Sequence, residues 1–249
     1  VSLNDATGKR ITWLEENRVE KGHPLYAYKE SWTAPEFGEI TTEDGATLQY
    51  RLFKPESAIQ HPQKKHPVIE YLYGGPHAQV VTNSWAGNRG LLMQHWVDKG
   101  YVVFTLDNRG SNYRGKGFED PIYKKMGFIE VEDQVAGVKF LRTLPFVDAE
   151  RVGVHGHSYG GYMTNWAIGH TDDFAAAITD RCVANLVSMV GSSDLPLVPG
   201  EYWDANSWDT TEPIWDQSPL KYFGNVSTPT LVIHSEGDLR CNVEQGEQV

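Results

Sequence analysis

Residues 152–166 of this chain, VGVHGHSYGGYMTNW, contain the feature that most limits what it can fold into. An apolar strand pattern leads into a helical pattern, and Ser158 lies at the junction between Gly156 and Gly160. So sharp a strand-to-helix turn strains the backbone at the serine and needs glycines where the neighbouring chain passes close. The frame therefore predicts a nucleophile elbow, with an ordinary strand–helix turn and a solvated serine as the alternative.

Strand patterns and helical patterns alternate along most of the chain. The runs HPVIEYL (residues 66–72) and YVVFTLD (residues 101–107) are typical of buried strands. Residues 130–141 carry apolar side chains at helical spacing, and the carboxylates at the start of this segment favour a helix N-terminus. The alternation predicts an α/β fold, with a mostly parallel sheet and helices on both of its faces.

The charge balance and the cysteine content argue against several classes of protein. The formal net charge is −11, which disfavours nucleic-acid binding because phosphates need a basic surface. Two cysteines, Cys182 and Cys241, cannot form a disulfide framework or a metal cage. No apolar run approaches the ~20 residues of a membrane span. No metal-ligand spacing, phosphate loop or dinucleotide fingerprint occurs, so we expect no metal and no cofactor.

Two tyrosines follow strand ends where an oxyanion-binding site would form. The turn at Ser158 directs the backbone N–H of Tyr159 toward the space that the serine hydroxyl faces, and such a donor stabilises a developing oxyanion. The segment YLYGGPHAQ (residues 71–79) leaves an earlier strand through two glycines and a proline. Tyr73 in this segment can donate through its phenol. A core tyrosine before a tight turn is the alternative for Tyr73.

A serine nucleophile needs a general base, and no histidine in the chain is an evident one. Asp238 follows the late apolar strand TPTLVIH (residues 228–234) and fits the chain order of nucleophile and then acid. A turn carboxylate is the alternative for Asp238. All nine histidines precede it, and His157, adjacent to Ser158, is expected to point away from the serine side chain. His77 can reach the site from the glycine loop, but nothing marks it as a base.

A resemblance to the catalytic domain of the prolyl oligopeptidase family of serine peptidases is carried by four segments, YGGPHAQ, GYVVFTLDNRGSNYRGKGFED, IEVEDQVAGVKFL and GHSYGGYMTNW. The likeness runs from about residue 38 to residue 249. The front half is most similar to the dipeptidyl peptidase IV-like branch, and the back half is closer to the acylaminoacyl-peptidase-like branch. The resemblance implies an α/β-hydrolase fold.

The resemblance also implies roles for five residues. Ser158 matches the family's nucleophile, and Asp238 matches the triad acid that orients the histidine. Tyr73 and Tyr159 match the two oxyanion donors. Arg240 falls where the family places a side chain that contacts the substrate. The implied activity is hydrolysis of short peptides through an acyl-enzyme on Ser158, without a metal.

Both ends of the chain look truncated in this comparison. Residues 1–37 are expected to be a linker and the remnant of a β-propeller, whose last strands the hairpin pattern of residues 1–17 resembles. Residues 38–249 are expected to form the catalytic domain without its last strand and helix, the part that carries the catalytic histidine in the family. The isolated chain is therefore expected to be inactive.

Two other functions stay open on the sequence. One is a non-catalytic α/β-hydrolase scaffold that lacks a base, and the other is an esterase that uses the same residues. A small peptide is the expected partner, whereas nucleic acid and membrane are not. Self-association stays open, and no feature of the sequence predicts a compartment.

Overall fold

The computed structural model describes residues 1–195 and 211–249, which divide into two compact units, Val1–Thr33 and Ala34–Val249. The division lies between residues 33 and 34 rather than between 37 and 38. The reason is that strand β3 (Glu36–Thr41) pairs with the sheet of the larger unit, so that the chain joins this sheet earlier than the sequence pattern suggested.

The smaller unit contains the predicted N-terminal hairpin. Strands β1 (Ser2–Asn4) and β2 (Arg10–Trp13) pair antiparallel. The turn between them closes around Asp5, whose Oδ1 accepts hydrogen bonds from the backbone N–H groups of Thr7 at 2.9 Å and of Lys9 at 3.0 Å. An aspartate that satisfies the backbone in this way is a common turn former. A short 3-10 helix follows at residues 26–28.

The larger unit is built on a seven-stranded sheet with the strand order β3-β4-β6-β5-β7-β8-β9. Its remaining strands are β4 (Thr47–Phe53), β5 (His66–Leu72), β6 (Val102–Asp107), β7 (Val147–His157), β8 (Ala176–Asp180) and β9 (Thr230–Ile233). Strands β3, β4 and β6 pair antiparallel, and all pairs from β6 to β9 are parallel. The mostly parallel α/β sheet predicted from the sequence is thus confirmed.

The helices in the described part of the chain cover both faces of this sheet. They are α1 (Glu56–Gln60), α2 (Gly87–Asp98), α3 (Lys116–Glu119), α4 (Phe128–Thr143), α5 (Tyr159–His170), α6 (Leu186–Ser192), α7 (Thr211–Asp216) and α8 (Val243–Glu247). Short 3-10 helices occupy residues 120–122 and 219–225. None of these helices has the length and apolar character that crossing a membrane requires.

Alternate residues of the central strands point into two separate apolar clusters. On β6, Phe104 joins a cluster with side chains of α4 and α5, whereas Val103 joins a second cluster with side chains of α2. Because side chains alternate across a strand, one strand supplies both clusters. The sheet is therefore buried on both faces, as the continuous apolar runs of β5 and β6 predicted.

The central position of β5 and β7 decides where a site can form. These two strands are parallel neighbours, paired from His66–Val147 to Leu72–Gly156. Their carboxyl ends consequently lie side by side at one edge of the sheet. The segments that follow them begin with Tyr73 and Ser158, and in open α/β sheets this edge is where ligands bind.

Candidate active site

Ser158 stands in a strained turn between β7 and α5. Its φ is 60° and its ψ is −118°, and a positive φ is uncommon for a residue with a side chain. The surrounding backbone holds this conformation. The Ser158 N–H donates to the Asp180 carbonyl at 2.9 Å, and the Ser158 carbonyl accepts from the Tyr162 N–H at 3.0 Å. The backbone is thus that of a nucleophile elbow, with the side chain placed at the helix N-terminus.

The glycines around Ser158 are required by close backbone approaches. A Cβ on Gly156 would lie 1.9 Å from the Gly160 carbonyl oxygen, and a Cβ on Gly160 would lie 2.3 Å from the Leu72 carbonyl oxygen. Neither distance leaves room for an atom, and both obstacles are backbone. The two outer glycines of the G-x-S-x-G frame therefore let α5 start directly against β5 and β7.

We expect Gly161→Ala to lower the free energy of unfolding by about 1–3 kcal/mol, the usual cost of an overpacked core position. The new Cβ would lie 2.7 Å from the Cys182 Cα, so the chain after β8 must move. Gly191→Ala in α6 is the matched control, because nothing lies within 4 Å of its Cβ position. Urea unfolding should show this control unchanged or more stable by up to ~1 kcal/mol. Equal stability of the two variants would contradict the prediction.

The structure brings four of the five predicted site residues to one cavity. This cavity has a volume of about 250 Å³. It is lined by Tyr73, Gly75, Pro76, Met126, Ser158, Tyr159, Tyr162, Val183, Leu186, Met189, Leu195, Arg240 and Cys241. Most of these side chains are apolar or aromatic and a few are polar, which is the usual make-up of a small-molecule site.

The loop that carries Tyr73 is fixed by a buried amide. The Asn108 Nδ2 donates to the carbonyl oxygens of Gly74 at 2.7 Å and Arg109 at 2.6 Å. The Asn108 Oδ1 accepts from the Gln134 Nε2 at 2.7 Å, so the amide has partners on both sides. The sequence alone did not indicate this role of Asn108. The available signal was a polar residue directly after the carboxyl end of a buried strand.

Arg109 has a structural role. Its guanidinium donates to both oxygens of Asp133, including a 2.6 Å bond from Nη2 to Oδ1, and also pairs with Asp44 at 2.5 Å. The hydrogen bond from the guanidinium to Asp133 raises the pKa of Arg109 above its ordinary value. Because Asp133 lies on α4, this pair ties the end of β6 to that helix.

The acid candidate Asp238 lies in the loop after β9 and does not line the cavity. Its Oδ1 accepts the backbone N–H groups of Arg240 and Cys241, each at 2.9 Å. Arg240 does line the cavity and forms an ion pair with Asp194, including a 3.1 Å bond from Nη2. The carboxylate of Asp238 thus shapes the loop that delivers Arg240 and Cys241 to Ser158.

The hydroxyl of Ser158 has a thiol as a neighbour, not an imidazole. Burial raises the pKa of Cys241 to about 11, although a hydrogen bond with the Ser158 side chain lowers it. A thiol with that pKa is neutral at pH 7, so it is no base for the serine proton. Sequence reasoning missed this contact, because Cys241 is 83 residues away along the chain.

The histidines nearest to Ser158 in the sequence or in the surrounding strands and loops have other partners. His157 Nδ1 bonds to Asp180 Oδ2 at 3.1 Å, so the histidine next to Ser158 points toward β8. His77 Nδ1 lies 3.5 Å from Glu119, and His234 Nε2 bonds to the Cys241 carbonyl at 2.7 Å. His155 packs its ring against Tyr71 and Trp96. None of the residues found lining the cavity is a histidine.

One buried carboxylate, that of Glu130, contacts a residue that lines the cavity. Glu130 of α4 accepts hydrogen bonds from the Tyr159 phenol at 2.8 Å and from the Gly127 N–H at 2.9 Å. Burial raises the pKa of Glu130 to about 7, although both hydrogen bonds lower it. The sequence indicated only its place in a first helical turn.

Within residues 1–195 and 211–249, no group of three acidic, histidine or cysteine side chains is arranged to hold a metal ion.

Comparisons with known proteins agree on one family. The model described as "Prolyl oligopeptidase family" matches residues 89–249. The uncharacterized peptidase YuxL of Bacillus subtilis (strain 168) is 33% identical over 237 residues, which cover 94% of this chain and 35% of the relative. The chain therefore spans about a third of that relative's length.

Two solved structures share the fold. Dipeptidyl peptidase 4 of Porphyromonas gingivalis superposes with a TM-score of 0.82 at 26% identity, over 99% of this chain and 33% of that one. Acylaminoacyl peptidase of Pyrococcus horikoshii superposes with a TM-score of 0.79 at 31% identity, over 90% of this chain and 35% of that one. The resemblance to both branches found in the sequence is confirmed.

Proposed function

Since this chain belongs to the prolyl oligopeptidase family of serine peptidases, we propose that it hydrolyses short peptides through an acyl-enzyme on Ser158. The observation that carries the proposal is the strained elbow at Ser158, which opens into a cavity shared with Tyr73 and Tyr159. The proposed substrates are those of dipeptidyl or acylaminoacyl peptidases, because relatives of both kinds match the chain.

In the proposed mechanism Ser158 Oγ attacks the carbonyl carbon of the scissile bond. The phenol of Tyr73 and the backbone N–H of Tyr159 stabilise the oxyanion that forms. Asp238 orients the histidine that takes the serine proton and returns it to the leaving amine. Arg240 binds a carbonyl or acyl oxygen of the substrate, and Asp194 holds its guanidinium in place.

A non-catalytic scaffold is the second candidate function, and one observation favours it. The thiol of Cys241, which is neutral at pH 7, lines the cavity together with Ser158, and no histidine lies among the described residues that line it. A serine without a base has little nucleophilicity. In this case the cavity would bind peptides without cleaving them.

A fluorophosphonate probe separates the two functions. We expect the full-length native protein to be labelled at Ser158, as located by mass spectrometry of its peptides, and its Ser158→Ala variant to be unlabelled. Ser57→Ala is the matched control, because Ser57 Oγ lies 3.4 Å from His66 Nε2 yet stands outside the cavity. Its labelling should equal that of the parent. Well-folded native protein that is not labelled would favour the scaffold.

We expect Tyr73→Phe to reduce kcat by about 10²–10³-fold with little change in KM, the usual effect of removing one oxyanion donor. The phenol is proposed to interact with the developing charge more strongly than with the bound peptide. Tyr71→Phe is the matched control, because this buried tyrosine near the end of β5 packs in the cluster next to α2. Steady-state kinetics on a peptide p-nitroanilide would measure both variants. A kcat for Tyr73→Phe within threefold of the parent would remove Tyr73 from the mechanism.

A further inference from the structure

Glu130 is a buried titratable residue that the proposed mechanism does not use. Its side chain is 0% exposed, at the first turn of α4. A carboxylate in such a place costs free energy unless its oxygens are hydrogen-bonded. Both of them are, and the two donors come from different parts of the molecule. One is the backbone N–H of Gly127 just before α4, and the other is the phenol of Tyr159 at the start of α5.

The Tyr159 ring lies between the elbow at Ser158 and the loop that carries Tyr73. It lines the cavity together with Ser158. Its centroid is 5.0 Å from that of Tyr162, and its Cε1 is 3.5 Å from the position of a Cβ on Gly74. The ring therefore forms a wall of the space next to the nucleophile. Its backbone is held by α5, whereas its far end is held by Glu130.

We propose that Glu130 is a positioning residue that sets substrate specificity by holding the Tyr159 ring against the cavity. The inference rests on the proposed peptidase function. The backbone N–H of Tyr159 is fixed by the elbow, so losing Glu130 frees the ring but leaves the oxyanion donor in place. A freed ring is a poorer wall for the substrate residue that precedes the scissile bond. KM and the preference among such residues should therefore change more than kcat.

The hydrogen bond between the Tyr159 phenol and Glu130 can be removed by substituting either residue. Tyr159→Phe keeps the ring and deletes only the hydroxyl, whereas Glu130→Leu deletes the acceptor. Glu130→Gln is the conservative variant, because its amide oxygen can accept from Gly127 while its NH₂ donates to the phenol oxygen. All variants are measured on dipeptidyl and N-acetyl-aminoacyl p-nitroanilides that carry Ala, Pro, Leu or Phe before the scissile bond.

We expect Tyr159→Phe and Glu130→Leu each to raise KM for the preferred substrate by about tenfold, as the loss of one hydrogen bond to a buried charged or polar group does. The ratio of kcat/KM between the best and worst substrates should shrink, and kcat should stay within about threefold. The double variant should be no worse than either single variant, because both remove the same bond. Glu130→Gln should restore the parent values to within threefold.

Tyr162→Phe is the matched control in the Glu130→Leu background. The Tyr162 phenol also stands in the cavity wall, but it donates to the Gln217 carbonyl at 2.9 Å. Its effect on KM should add to that of Glu130→Leu. If Glu130→Leu does not fold, Tyr159→Phe made in the parent and in the Glu130→Gln background carries the test, and it should cause the same shift in both.

If the increases in KM caused by Glu130→Leu and by Tyr159→Phe add in the double variant, the inference is overturned. An unchanged KM and an unchanged order of substrates in Tyr159→Phe would overturn it as well. In either case the parent protein still reacts with a fluorophosphonate at Ser158 and hydrolyses the substrates, which leaves the proposed function standing. A parent that is neither labelled nor active on any substrate of the series would overturn both.

Discussion

Replacing Ser158 with alanine should reduce kcat/KM for peptide hydrolysis by about 10⁴- to 10⁶-fold, because no acyl-enzyme can then form. The oxyanion donors and the cavity remain, and they account for the residual activity. The elbow should survive the change, since its strained backbone is held by hydrogen bonds that do not involve the side chain: the Ser158 N–H donates to the Asp180 carbonyl, and the Ser158 carbonyl accepts from the Tyr162 N–H. The free energy of unfolding is expected to change by less than about 1 kcal/mol.

Steady-state kinetics and urea unfolding of the native protein check this prediction together. His157→Gln is the matched control at the adjacent position. Because His157 bonds to Asp180 and not to Ser158, this variant should lose less than about tenfold in kcat/KM. A loss as large as that of Ser158→Ala would instead identify His157 as the base. Retention of more than a tenth of the activity by Ser158→Ala would contradict the acyl-enzyme mechanism.

The second large effect concerns stability. Glu70 lies on β5 between Phe104 of β6 and Val154 of β7, at the centre of the sheet. It is 0% exposed, and neither of its carboxylate oxygens has a hydrogen-bond partner among the residues that the structure describes. Burial raises its pKa to about 8, with a smaller contribution from the negative charge of Asp173. The folded protein therefore keeps this carboxyl protonated at neutral pH.

The raised pKa makes folding pH-dependent in a known direction. Below about pH 4.5 Glu70 is protonated in both the folded and the unfolded chain, and its ionisation has no effect. Above that pH the unfolded chain releases the proton while the folded protein keeps it, so stability falls until about pH 8, where the folded form also ionises. The total loss is on the order of 5 kcal/mol.

We expect Glu70→Gln to remove this loss. The variant should gain stability relative to the parent as the pH rises from about 5 to 9, and urea unfolding at each pH would measure the difference. Glu130, whose pKa is also raised, makes the same contribution to the pH dependence of stability in both proteins, so it cancels when the two are compared. Glu132→Gln is the control, since it removes an exposed carboxylate from α4 and should track the parent. A constant difference between parent and Glu70→Gln across this pH range would contradict the prediction.

Local patterns predicted the framework of the site well. The elbow depends on backbone sterics within a few residues of Ser158, and the glycines that these sterics require make it recognisable in the sequence. The antiparallel hairpin of β3 and β4 likewise follows from the turn at Gly45, which has a φ of 89°. The order of the central strands was not predicted from any single segment of the sequence.

The partners of the site residues were not predictable in the same way. Asn108 reaches Gly74 across 34 positions of the chain, and Glu130 reaches Tyr159 across 29. Neither spacing has a sequence signature, because crossovers of the sheet and not local geometry bring such groups together. Adjacency in the sequence is no guide to the partner either. His157 is next to Ser158 in the chain, but its side chain bonds to Asp180 at the end of β8.

The sequence by itself determined that the chain forms a mostly parallel α/β sheet with a strained serine turn at a strand end, because alternation of apolar residues and the freedom of glycine act over short distances. Only the tertiary structure decided which polar groups meet that serine. It set Cys241 against the hydroxyl, tied His157 to Asp180, and anchored Tyr159 to Glu130. Those pairings follow from packing helices on both faces of one sheet, which brings together polar groups that are far apart in the sequence.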